Sequence, residues 1–180
     1  TWRHKNHRAA VRALALHRAQ SGDEVLLICT GAAKEAQPEL EALIRELSLE
    51  NQVRFLGYVP REELPALYQG AQALVFPSLF EGFGIPVLEA MTCGCPVICS
   101  STTSLPEIAG EAALFWDARR PATLSALLAT LLADGVRGAA LGAAARRRAR
   151  ARYRWDDVAG AYEALLAGRA PHGLPSGRGC

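Results

Sequence analysis

Between Phe76 and Met91 the sequence reads Phe-Pro-Ser-Leu-Phe-Glu-Gly-Phe-Gly-Ile-Pro-Val-Leu-Glu-Ala-Met. Gly82 and Gly84 let a backbone approach a ligand closely. Pro86 stands near the first position of a helix, where the missing amide proton needs no partner. Free amides and the helix dipole then form an anion site suited to phosphate. Glu81 precedes the helix and Glu89 lies inside it. Both carboxylates would repel a phosphate, so they suit other parts of the same ligand. An ionised carboxylate accepts two hydroxyl hydrogen bonds, which matches a ribose diol or a sugar ring. The same residues also fit a plain strand–loop–helix connection, with Glu81 solvated and Glu89 answering the helix dipole.

The elements that must hold this segment follow from the pattern on either side. Asn6 is a helix N-cap candidate, and a stripe that includes Val11, Leu14 and Ala15 predicts a helix to about Gln20. Ser21-Gly22-Asp23 stops it. The continuous apolar run over 24–30 predicts a parallel strand covered on both faces. A helix is expected from Pro38 to about Leu49, a strand over 53–56 ending at Gly57, and a short helix from Glu62 to about Gln69. Ala73 to Phe76 is the next strand, and the glycine loop leads into a helix over 85–92. Strands over 96–99 and 112–115 flank one helical turn at 105–109. Helices over 122–133, 138–152 and 155–166 close the pattern, and residues 169–180, rich in Gly, Pro and Ser, read as a disordered tail. This alternation predicts an α/β fold, an open parallel sheet with helices on both faces. Ligands of such sheets lie at the carboxyl ends of the strands, here the loops after Thr30, Leu56, Phe76 and Cys99.

The chain has 180 residues, half of them hydrophobic. A chain of this length buries roughly 70% of its unfolded surface without disulfide or metal support. Twenty basic and 18 acidic residues leave a net charge of +2, which calls for no nucleic acid or other polyanion. No apolar run approaches the ~20 residues of a membrane span. Five cysteines, with Cys93, Cys95 and Cys99 in one short segment, make a poor disulfide framework. A reducing, cytosolic setting is expected. The sequence opens at Thr1 and enters a helical pattern almost at once, which raises the expectation of further sequence upstream.

The segment Glu81-Gly-Phe-Gly-Ile-Pro-Val-Leu-Glu89-Ala-Met resembles the E-x7-E signature of retaining glycosyltransferases of family four, also called group 1. Val53-Arg-Phe-Leu-Gly-Tyr-Val59 is similar to the family's strand and turn near the base, and Ala90 to Ser100 to the stretch after the second glutamate. Ser104 to Gly110 and Tyr153 to Asp157 match further family segments. The resemblance runs from about residue 3 to residue 166.

It implies the C-terminal half of a GT-B fold. Residues 1–168 would form a Rossmann-like nucleotide-sugar domain closed by C-terminal helices, with the acceptor domain and a first strand outside this sequence. It implies a nucleoside-diphosphate sugar donor and transfer, with retention, to a hydroxyl of a glycan or lipid-linked glycan. No cofactor and no metal are expected, and a mannosyl donor and polysaccharide biosynthesis follow from family usage. Carried over by position, Glu81 is the catalytic candidate, touching donor-sugar hydroxyls near the reacting centre. Glu89 would accept the ribose hydroxyls. The amides of Gly82, Phe83 and Gly84 would lie near the sugar or its phosphates, and Gly57 and Tyr58 near the base. Lys5 matches a lysine that binds the diphosphate. Arg3, Ser78, Ile85 and Thr102 are secondary candidates. A lysine just before a helix N-terminus is unfavourable without an anion, which agrees with the role of Lys5; an exposed lysine on a flexible start is the alternative. A rival reading is a non-catalytic module that binds nucleotide or phosphate, or a partner-binding remnant.

Other residues are weighed against simpler roles. The three crowded cysteines lack nearby histidines and read as packing residues rather than a metal site. Residues 100–104 either line the phosphate region or cap the turn before Leu105. Arg146, Arg147, Arg150 and Arg154 fall within an arc of about 100° on one helix. That face is either solvated or a contact with an anionic membrane surface, such as the inner face of the cytoplasmic membrane.

Overall fold

A computed structural model describes residues 1–169. The expected tail from residue 170 onward, with Cys180, lies outside the described residues. Helices and strands alternate in the order α1 (His7–Ser21), β1 (Leu27–Thr30), α2 (Gln37–Glu46), β2 (Val53–Gly57), α3 (Leu64–Gly70), β3 (Leu74–Phe76), α4 (Ile85–Cys93), β4 (Val97–Ser100), α5 (Leu105–Ala109) and β5 (Leu114–Trp116). Three helices follow, α6 (Pro121–Ala133), α7 (Gly135–Arg152) and α8 (Trp155–Leu166). All strand pairs are parallel, as the alternation predicts.

The sheet is not one continuous ladder. β1 pairs with β2, while β3, β4 and β5 pair in that order, and β1 and β3 share no backbone pairing. This corrects the expectation for β1. Cys29 is buried, but Leu26 and Ile28 on the alternate face are nearly half exposed, as is Leu56 on β2. One face of this ladder packs under α1 and α2, and the other is uncovered. β4, the central strand of its ladder, is buried at every position.

Helix α1 ties the two ladders together. Ala9, Ala10 and Ala13 pack with Leu124, Leu128 and Leu131 of α6 and with Ile98 and Trp116 of the second ladder. Val11 and Leu14 pack with Leu40, Leu43, Ile44 and Val53 around the first. Small residues on one side of α1 and branched ones on the other let one helix serve both cores.

Several boundaries move for local reasons. Asp134 caps α7 through its carboxylate, which accepts the Arg137 amide at 2.9 Å, so this helix starts three residues before its expected start. Asn6 precedes α1 but its side chain makes no capping bond. Its backbone is left-handed, φ 53°, and its amide group donates instead to the carbonyls of Pro77 (3.3 Å) and Ala118 (3.0 Å).

A close approach between α4 and α7 fixes the back of the second ladder. A β-carbon at Gly142 would fall inside van der Waals contact with the Gly94 carbonyl oxygen, whereas one at Gly138 would meet only Leu131 at 3.6 Å. Gly142→Ala is therefore expected to destabilise the protein by about 1–3 kcal/mol through overpacking. Gly138→Ala should stabilise it by roughly 0.5–1 kcal/mol through helix propensity. Thermal unfolding of the two variants should move in opposite directions.

Candidate functional site

The loop between β3 and α4 leaves the sheet at its carboxyl end and has few backbone partners of its own. Gly84 ends it at the N-cap of α4 with φ 101°. A side chain there would meet Leu105 Cδ2 at 2.7 Å, so glycine is required both by the backbone angle and by the close approach of α5. The Gly84 carbonyl accepts the Val87 and Leu88 amides, at 3.0 and 3.2 Å, which starts the helix. Gly82 is exposed, and Phe83 rests edge-on against Tyr153 at 6.1 Å between ring centroids.

Side chains from the loop after β4 supply what the backbone lacks. The Ser100 and Thr102 hydroxyls donate to the Ser78 carbonyl. Thr103 Oγ1 accepts the Glu81 amide at 3.1 Å, and Ser104 Oγ donates to the carbonyls of Glu81 (3.1 Å) and Phe83 (2.9 Å). Ser104 stands at the N-cap of α5 yet makes no cap bond there, so its hydroxyl serves the neighbouring loop rather than its own turn. The Ser78 hydroxyl itself is buried without a partner.

The N-terminal segment closes on the same loop. The His4 carbonyl accepts the Leu79 amide at 2.7 Å. Lys5 Nζ meets Glu81 Oε1 at 2.6 Å and lies 5.4 Å from the centroid of the Phe76 ring. Both members of this ion pair are mostly shielded from water. Glu89, on the second turn of α4, is half-buried and accepts the Tyr68 hydroxyl at 3.3 Å. Burial, followed by the charge and hydrogen bond of Glu89, raises the Tyr68 pKa, so the phenol stays a donor.

The structure thus brings Lys5, Ser78, Glu81, Thr102 and the start of α4 to one strand end. Ile85 is exposed on the first turn of α4. Gly57 and Tyr58 sit at the end of β2, in the other ladder, with Tyr58 highly exposed. Arg3 forms a two-pronged contact with Glu39 of α2, at 2.5 and 3.2 Å, rather than one with the β3–α4 loop. The sequence reading missed Tyr68; it named Asn6 as an N-cap and residues 100–104 as phosphate lining or a cap before Leu105, and did not foresee their contacts with Pro77, Ala118 and the Glu81 backbone. Asparagine's tolerance of left-handed backbone could have flagged Asn6; no sequence signal marks Thr103.

The cysteines behave as packing residues. Cys29, Cys95 and Cys99 are buried. Burial pushes the Cys29 and Cys95 thiols up to about 11 and Cys99 up to about 12, which leaves them protonated and weakly nucleophilic. Among the described residues no cluster of three His, Cys, Asp or Glu side chains could hold a metal ion. No single helix there is long and apolar enough to cross a membrane.

The sequence profile of the family described as Glycosyl transferases group 1 matches residues 2–148. The chain is 42% identical over 130 residues to O-antigen chain mannosyltransferase B of Escherichia coli, covering 72% of this chain and 34% of that protein. It is 33% identical over 176 residues to D-inositol 3-phosphate glycosyltransferase of Corynebacterium jeikeium, covering 94% of this chain and 42% of the relative. The chain therefore spans well under half the length of these relatives. The crystal structure of HepE from Anabaena in complex with UDP superposes with a TM-score of 0.83 at 25% identity, covering 93% of this chain and 46% of that one.

Beside Lys5, His7 is held neutral. Burial above all, with the charge of Lys5 adding to it, lowers its pKa from 6.5 to about 4. The unfolded chain takes up this proton near 6.5 and the folded chain only near 4, so acid favours unfolding across that window. Thermal unfolding should show stability falling as pH drops from 6.5 towards 4, with a shallower fall in His7→Gln.

Proposed function

The chain belongs to the group 1 glycosyl transferases, and on that premise we propose that its strand-end site binds the donor of a retaining family-four enzyme. The donor is a nucleoside-diphosphate sugar. The observation that carries this reading is the convergence of a lysine, a carboxylate and a glycine-capped helix N-terminus. Lys5, Glu81 and the first turn of α4 meet at the end of β3. A diphosphate is an anion long enough to meet both the lysine and the helix dipole.

In this reading the diphosphate lies against Lys5 and the amides of Gly82, Phe83 and Gly84. Glu89, already engaged with a hydroxyl donor in Tyr68, accepts the ribose hydroxyls. Gly57 and Tyr58 flank the base. Glu81 holds hydroxyls of the donor sugar and stabilises positive charge near the anomeric carbon. As the bond from that carbon to the diphosphate breaks, the acceptor oxygen bonds to the same face and the departing phosphate takes its proton. Charge on the leaving group is met by Lys5 and the helix, which are positioned before the reaction begins. Lys5 and Glu81 neutralise each other at 2.6 Å, so donor binding has to draw Lys5 away from Glu81. Arg3, Ser78, Ile85 and Thr102 border this arrangement. Divalent metal is not required in it.

A mannosyl donor is favoured by the 42% identity to an O-antigen mannosyltransferase, and the acceptor is a glycan or glycolipid. The acceptor face belongs to the remainder of the length seen in the relatives, so the described domain alone does not complete the transfer. Arg146, Arg147 and Arg150 are exposed on α7 and suit contact with an anionic membrane on its cytoplasmic side, whereas Arg154, expected on the same helix face, lies past the end of α7 and pairs with Asp156 at 3.4 Å.

Calorimetric titration with GDP, UDP and ADP in the presence of EDTA tests the site directly. Saturable binding of one nucleotide is expected. Glu89→Ala should weaken it about 10- to 100-fold, equivalent to ~1.5–3 kcal/mol for lost charged hydrogen bonds. Unchanged affinity in that variant would remove the ribose assignment, and no binding in the full-length protein would favour a partner-binding remnant.

A further inference from the structure

We propose that Thr103 is a positioning residue for Glu81, its backbone held in a left-handed conformation so that its hydroxyl receives the Glu81 amide. Thr103 has φ 51°. For a β-branched residue this is a true outlier, because the side chain crowds its own backbone. Among the described residues the other non-glycine positions with positive φ are Asn6 and Ser48. Asn6 directly follows Lys5, so two of these three positions adjoin the Lys5–Glu81 pair. Asparagine adopts this conformation readily and threonine does not.

The unfavourable turn has an identifiable result. It presents three successive hydroxyls to one loop: Thr102 to the Ser78 carbonyl, Thr103 to the Glu81 amide, and Ser104 to the Glu81 and Phe83 carbonyls. Glu81 is thereby gripped on both its amide and its carbonyl by side chains from across the site. Its carboxylate is then delivered to Lys5 at 2.6 Å. A glycine at 103 would adopt the same backbone without crowding but would leave the Glu81 amide without this acceptor. The Thr103–Glu81 contact is solvent-exposed, so water can replace it at little cost in stability, whereas fixing Glu81 depends on it. Strain of this kind persists where the surrounding structure over-determines it, commonly at sites of function.

The inference rests on the role proposed for Glu81, and the test separates the two. In the full-length protein, Thr103→Gly, Thr103→Val and Thr103→Ser would be compared with wild type. Readouts are hydrogen exchange at the Glu81 amide, melting temperature, and nucleotide release from GDP-mannose and UDP-glucose. Glycine and valine should both speed exchange at Glu81 and lower kcat about tenfold or more, with KM within about twofold. Serine should retain exchange protection and kcat within about threefold. The melting temperature of Thr103→Gly should stay level or rise, which separates lost positioning from lost stability. Wild-type kcat in Thr103→Val, or unaltered exchange at Glu81, overturns this inference alone. A wild-type protein that binds none of GDP, UDP and ADP overturns the proposed donor site, and this inference with it.

Discussion

The loop between β3 and α4 has to satisfy its peptide groups without a ladder or a helix, and the site depends on how it does so. Buried or half-buried backbone groups without partners are costly. Here the partners come from two distant parts of the chain. The His4 carbonyl takes the Leu79 amide, and hydroxyls from residues 100–104 take the Glu81 amide and the carbonyls of Ser78, Glu81 and Phe83. The loop is therefore a shared surface between the N-terminal segment and the end of β4. Its shape is set by those neighbours more than by its own sequence, and the side chains it carries inherit that definition.

Electrostatics adds a second constraint at the same place. The starts of α1 and α4 bring partial positive charge to the strand ends, and Lys5 brings a full one. Glu81 answers Lys5 at 2.6 Å. This pairing offsets the positive charge gathered at the strand ends, and it also fixes where an incoming anion must compete. Neutral His7 belongs to the same balance, since a further cation beside Lys5 and the helix start would be opposed by burial and by charge. Arg3, engaged with Glu39 on α2, keeps a second cation away from the β3–α4 loop.

Much of this was legible in the sequence, and the reasons differ by element. β3, α4 and β4 are written plainly, because a short apolar run, a glycine pair with proline, and a second apolar run leave few alternatives. The positions of Glu81 and Glu89 on loop and helix follow from the same punctuation. The break between β1 and β3 was not legible, since a parallel strand's apolar run looks the same whether it has one neighbour or two. Asn6 was misjudged for a similar reason. Its residue type fits an N-cap, and only the tertiary arrangement offers its amide two better carbonyls, at Pro77 and Ala118. Thr103 runs against its own backbone preference, so no local pattern could have placed it.

The way α1 is anchored explains why the N-terminal segment can act on so distant a loop. Lys5 belongs to a short 3₁₀ turn with no buried residue of its own. Its position is set one residue later, where Asn6 spans the carbonyls at the ends of β3 and β5, and then by α1, whose alanines pack against α6 and whose Val11 and Leu14 reach the first ladder. Burial along α1 thus becomes precision at its exposed start. Because β1 and β3 do not pair directly, the two ladders are joined by this helix and by the packing of Leu27 into the second core. A shift of α1 against α6 would move Lys5 relative to Glu81 before it disturbed any strand pairing. The ion pair is consequently the part of the site most sensitive to how the two ladders are joined, while Glu89, fixed on α4 over the second ladder, is largely independent of it.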